Sequence, residues 1–169
     1  MLRLDEFQGT TSRVEEGIML DLHYRRGVVV VRFRPDPGLL DRLGAALAYI
    51  GSRRSIVLTG TGAVFAPDLA TGEGAGLTEV LDALRAHPLP VVAAINGDAI
   101  GTGWALAEAA DVRVMSGGVI QPDPAAAVCY RVRAALATGL VEYATTPANL
   151  LTDAMTLAGR LEPQIVAAG

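Results

Sequence analysis

Lysine is absent from this 169-residue chain, and all fourteen basic residues are arginine. That excludes Schiff-base catalysis through a lysine amine and any phosphate loop that relies on a lysine. A phosphate group would have to be held by arginine or by backbone. Cysteine occurs once, at Cys129, which rules out an internal disulfide and fits a reducing compartment. The two histidines, His23 and His87, lie far apart without ligand spacing, so no metal site is expected. No apolar run approaches the roughly 18 residues of a membrane span, although 51% of the residues are hydrophobic. Residues 1–17 are mixed in charge, lack an apolar signal segment, and read as a flexible N-terminal arm. A net charge of −4 with scattered arginines gives no basic stripe for nucleic acid. The expectation is a cytoplasmic protein with neither nucleic-acid nor membrane partners. The lack of lysine beside abundant alanine, glycine and valine fits a very GC-rich, actinobacterial kind of genome.

What is present is an alternation of strand and helix patterns, which predicts an α/β domain over residues 18–169 with parallel pairing. Strands are expected at Ile18 to Tyr24, Gly27 to Arg34, Ser55 to Thr59, Val91 to Ile95 and Val112 to Met115. Asp36-Pro37 reads as a helix start. The helix face would be Leu39, Leu40, Leu43, Leu47 and Ile50, with Gly51 at its end. Thr78 reads as the cap of a second helix that stops at Pro88. Further helices are expected around Ala125 to Thr138 and Pro147 to Ala158.

The stretch from Pro88 to Met115 carries the most functional information. It reads as a buried strand, an Asn96-Gly97 turn, a loop with Gly101 and Gly103, and a small-residue helix opening near Gly103. Such a loop offers backbone N–H groups that can hold negative charge on an oxygen. The Gly-x-Gly turns at Gly60 and Gly101 do not complete a dinucleotide fingerprint, because Phe65 and Leu106 stand at the sixth positions.

Three segments in order resemble the crotonase, or enoyl-CoA hydratase/isomerase, superfamily. They are RSIVLTGTGAVFAPDLA (Arg54 to Ala70), the Pro88 to Met115 stretch, and VIQPD (Val119 to Asp123). The family patterns are TGxGxxFxAGxDL, then PxxAxxxGxxxGGG, a D-I/V-R strand and QPE. AMTLAGRLEPQIVAAG (Ala154 to Gly169) also looks like the LTGRxxxAxEAxxxGLV segment. The resemblance implies a spiral of ββα units, C-terminally shortened, assembled as a homotrimer or hexamer. It also implies an acyl-CoA thioester whose enolate is held by two backbone N–H groups. No cofactor is implied beyond CoA as the carrier of the substrate.

Carried over residue by residue, the second oxyanion donor falls on Thr102, where the family has the middle glycine of GGG. The first donor falls on Pro67 when counted from Phe65, while Ala66 is the alanine that stands before Asp68. Proline has no N–H to give. The loss of one such donor costs about 3 kcal/mol of transition-state stabilisation. One hydratase carboxylate is replaced by Ala105; the other is Asp123 of Gln121-Pro122-Asp123. A single carboxylate suffices to move a proton between carbons, so Asp123 is the expected acid/base. Asp68, Asp98, Gly101, Gly103 and Trp104 complete the expected substrate-binding set. Each has an ordinary structural alternative: Asp68 and Asp98 as turn residues, Asp123 as a cap, and Trp104 as core.

Three functions fit these residues. One is a lyase or isomerase acting on an acyl thioester or related carbonyl. Another is a natural-product cyclase acting on a polyketide-like small molecule without CoA. The third is a non-catalytic structural homologue.

Overall fold

The computed structural model describes residues 21–25, 27–34, 38–69 and 76–168. The expected arm at residues 1–17 and the Asp36-Pro37 helix start lie outside these. Ten strands and five helices are present among the described residues.

Five strands pair in parallel in the order β2 (Val28–Arg32), β3 (Ser55–Thr59), β5 (Val91–Ile95), β7 (Val112–Met115) and β10 (Tyr143–Ala144). At one edge β1 (Asp21–Arg25) pairs antiparallel with β2. Alternation along these strands sends side chains to both faces. Val29, Val31, Ile56, Leu58, Ala93, Ile95 and Met115 join one core, whereas Val28, Val30, Val57, Val92, Ala94 and Val114 join another. Burial on both faces explains why β3 and β5 are apolar runs with little alternation.

The first core is closed by α1 (Leu39–Ile50) and α2 (Leu77–Ala86). Leu39, Leu40, Leu43, Ala46 and Ile50 form the inner stripe of α1, and Val80 and Leu84 that of α2. Gly51, at φ 67°, terminates α1 as expected. The cap of α2 is Gly76, with no side-chain hydrogen bond, so Thr78 lies inside the helix and not at its start. The opposite face of the sheet is covered by α5 (Leu150–Ala168) through Leu150, Ala154 and Ala158.

A second sheet runs β4 (Val64–Ala66), β6 (Asp98–Ile100), β8 (Val119–Gln121) and β9 (Tyr130–Arg131). The first three are parallel, and β9 is antiparallel to β8. Two repeating units therefore give one strand to each sheet and then a helix, β3-β4-α2 and β5-β6-α3, and in β7-β8-β9-α4 the second sheet receives two strands. This is the ββα spiral that the sequence implied.

The crossings between sheets are tight. A Cβ on Gly97 would meet the Ala63 carbonyl oxygen at 2.1 Å, and one on Gly118 would meet the Gly97 carbonyl carbon at 2.3 Å. Asn96 braces the earlier crossing. Its Oδ1 accepts the Gly60 N–H at 2.8 Å, and its Nδ2 donates to the carbonyls of Gly62 and Val64 at 3.0 and 3.2 Å.

The expected helix at Ala125 to Thr138 is a correction. Its first half is a turn and β9, and only α4 (Val132–Ala137) is helical. Pro122 and Pro124 deny this segment backbone donors, and β8 offers it a strand edge to pair with.

Candidate active site

The short helix α3 (Thr102–Glu108) opens one residue ahead of the position expected from its sequence. Its placement depends on Gly103, where a Cβ would meet the Ala66 carbonyl oxygen at 1.9 Å. Only glycine lets α3 lie this close to β4. The far end of α3 is held by Arg113, whose Nη1 donates to the carbonyls of Ala110 at 2.9 Å and Glu108 at 3.1 Å. The same guanidinium bonds the Leu140 carbonyl and forms a 2.5 Å ion pair with Glu142. Asp111 fixes the preceding turn by accepting the Val91 N–H at 2.8 Å while its own N–H returns to the Val91 carbonyl.

The three sequence segments converge at Gly101, which adopts φ +51°. A Cβ there would lie 2.2 Å from Asp68 Oδ1 and 2.7 Å from Pro124 Cγ. Asp68 comes from the loop after β4, Gly101 and Thr102 from the start of α3, and Pro124 from the segment after β8. The Gly101 N–H donates to the Gln121 carbonyl at 2.8 Å. Gln121 Nε2 in turn holds the Ala126 carbonyl at 2.8 Å, pinning the turn that carries Asp123.

The individual expectations fare differently. Thr102 stands at the front of α3, but its N–H is engaged: it donates to Asp68 Oδ1 at 3.0 Å, and its hydroxyl donates to the same oxygen at 3.1 Å. Ala66 has no accessible surface and is paired with Ala99 of β6. The residue that follows β4 is Pro67, which has no N–H.

Asp123 is exposed, with Oδ1 accepting the Ala125 N–H at 2.9 Å in a local turn. Asp98 is half-buried at the start of β6. Its Oδ1 accepts the Val119 N–H at 3.0 Å and fastens β8 to β6. Trp104 is 6% exposed and belongs to the core. Ala105, where the family pattern has a carboxylate, lies in the first turn of α3 and carries no titratable group.

One contributor, Arg113, went unread in the sequence. Arg113 was visible in the Asp111-Val112-Arg113 triplet, which matches the D-I/V-R pattern. Ala154 to Ala168 belongs to the single helix α5. The letters GLV stand earlier, at Gly139-Leu140-Val141, directly before β10.

Known proteins bear on this arrangement. The family model described as enoyl-CoA hydratase/isomerase matches residues 34–119, which takes in β3 to β7 and the whole Gly101 loop. The chain belongs to the enoyl-CoA hydratase/isomerase family. A probable enoyl-CoA hydratase of Mycobacterium bovis is 47% identical over 87 residues, covering 46% of this chain and 36% of the relative. This chain spans only a little over a third of the length of such curated relatives, 36% to 38%. Among solved structures, a monofunctional enoyl-CoA isomerase from M. smegmatis superposes with a TM-score of 0.73 at 26% identity. That match covers 86% of this chain and 88% of the isomerase. A putative enoyl-CoA hydratase from Streptomyces coelicolor A3(2) matches with a TM-score of 0.72 at 25% identity, over 94% of this chain and 78% of that one. The crotonase fold is thereby shown. Among the described residues, no helix is long and apolar enough to cross a membrane.

Proposed function

We propose that this chain is a crotonase-type isomerase or lyase that shifts a proton on an acyl thioester or related carbonyl compound. One observation carries the reading: Asp68, Gly101-Thr102 and the Asp123-Pro124 turn, one element from each family segment, meet at a single glycine. The thioester oxygen would take the Thr102 N–H, and Asp123 would remove a proton from one carbon and return it to another. Water addition is disfavoured because Ala105 leaves the first turn of α3 without a carboxylate to direct a water. The substrate would be CoA-borne, with no further cofactor. Assembly as a trimer or hexamer in the cytoplasm follows the family habit.

The test is calorimetric titration with crotonyl-CoA and acetyl-CoA, followed by deuterium exchange at the α- and γ-carbons. Binding with exchange that vanishes in Asp123→Asn supports the reading. The amide keeps the local turn, so stability should hold within about 0.5 kcal/mol. Exchange that persists in the variant clears Asp123 of the role.

A specific observation also favours the non-catalytic reading: one donor position is a proline and the other N–H already has a carboxylate partner. Failure of every acyl-CoA to bind at millimolar concentration would select it.

A further inference from the structure

The proposed thioester site depends on the Thr102 N–H, and that group is not waiting for a ligand. Asp68 Oδ1 accepts both the N–H and the hydroxyl of Thr102. Two features of this chain bring the carboxylate there. The connection from β4 to Asp68 is the single residue Pro67, two residues shorter than the FxAGxDL pattern. Gly101 has no side chain, and its missing Cβ would sit 2.2 Å from Asp68 Oδ1, so the glycine leaves the space that the carboxylate fills. Asp68 is itself exposed, which leaves its side chain room to swing away while β4 stays paired.

We propose that Asp68 is an internal plug: its carboxylate oxygen occupies the place of the thioester oxygen, and an acyl ligand enters only by displacing it. The proposal rests on the thioester reading above. A carboxylate oxygen resembles an enolate oxygen in charge and in what it accepts, so it satisfies the donor as a reacting substrate would. Ligand affinity is then reduced by the fraction of molecules in which the plug is seated.

The experiment compares the unmodified chain with Asp68→Ala and Asp68→Asn. Crotonyl-CoA and acetyl-CoA are titrated calorimetrically, and exchange of the Thr102 amide is followed by NMR without ligand. Asp68→Ala should bind at least tenfold more tightly than the unmodified chain, and its free Thr102 amide should exchange at least tenfold faster. Asp68→Asn should fall between, since Oδ1 remains an acceptor but the charge is gone. It also serves as the working variant if Asp68→Ala does not fold.

Equal or weaker binding by folded variants overturns the plug while leaving the thioester reading intact, and so does unchanged amide exchange. Absence of binding by all three proteins overturns the thioester reading, and the plug falls with it.

Discussion

Replacing Gly103 with alanine should destabilise the protein, although the same change in an ordinary helix stabilises it. Glycine to alanine inside a helix gains about 1 kcal/mol from propensity. At Gly103 the new Cβ would lie 1.9 Å from the Ala66 carbonyl oxygen and 2.5 Å from its carbonyl carbon. Those atoms belong to the backbone of β4 and cannot rotate aside. The helix must lift by an ångström or more, and such overpacking costs about 1–3 kcal/mol. Because the obstacle is backbone, the upper end applies, and the net loss is about 2 kcal/mol. Gly159 on α5 supplies the control: nothing lies within 4 Å of its built Cβ, so Gly159→Ala should gain about 0.5–1 kcal/mol. Urea unfolding followed by circular dichroism resolves the difference, and the two variants should move the midpoint in opposite directions. A Gly103→Ala protein as stable as its parent would refute the close approach of α3 to β4. The arrangement at Gly101 would then have to be redrawn.

Other outcomes follow from the same contacts. Asn96→Ala should lose about 2–4 kcal/mol, because it strips the buried Gly60 N–H of its acceptor along with two donated bonds. Asn96→Asp keeps the acceptor but sets a second carboxylate oxygen against the carbonyls of Gly62 and Val64, so it should also destabilise, and parental stability on denaturant unfolding would contradict this account. Arg113→Lys should cost about 2 kcal/mol, since one ammonium cannot span the carbonyls of α3, Leu140 and the Glu142 carboxylate together. A thermal midpoint unchanged by that substitution would show that the fork is not needed.

Legibility in the sequence followed element length. β3 and β5 were readable to the residue because each is a mostly apolar run buried throughout. The α1 stripe was readable because Leu39, Leu40, Leu43 and Ile50 repeat at the helical period. The strands of the second sheet have only two or three residues each, too short for any alternation to register. The site was legible as a set of motifs and illegible as a set of contacts. Asp68 and Thr102 are 34 positions apart, and nothing local in either segment announces that they touch. Asp98 shows the opposite failure: it sits in the right loop, yet its carboxylate is absorbed in holding Val119.

The tight crossings at Gly97 and Gly118 have a consequence for how such a protein can diverge. At that end of the second sheet, backbone rests on backbone, so a one-residue insertion or a larger side chain would push one spiral turn off the next. The connections leaving β4 and β8 reach solvent at Asp68 and Asp123, beyond the close approach at Ala66. Length and chemistry can drift there while the scaffold holds its shape. The departures from the family pattern gather on that permissive side: the shortened link to Asp68 and the altered stretch after Gln121. Inheritance of the fold and inheritance of the reaction are thus governed by opposite ends of the same short strands.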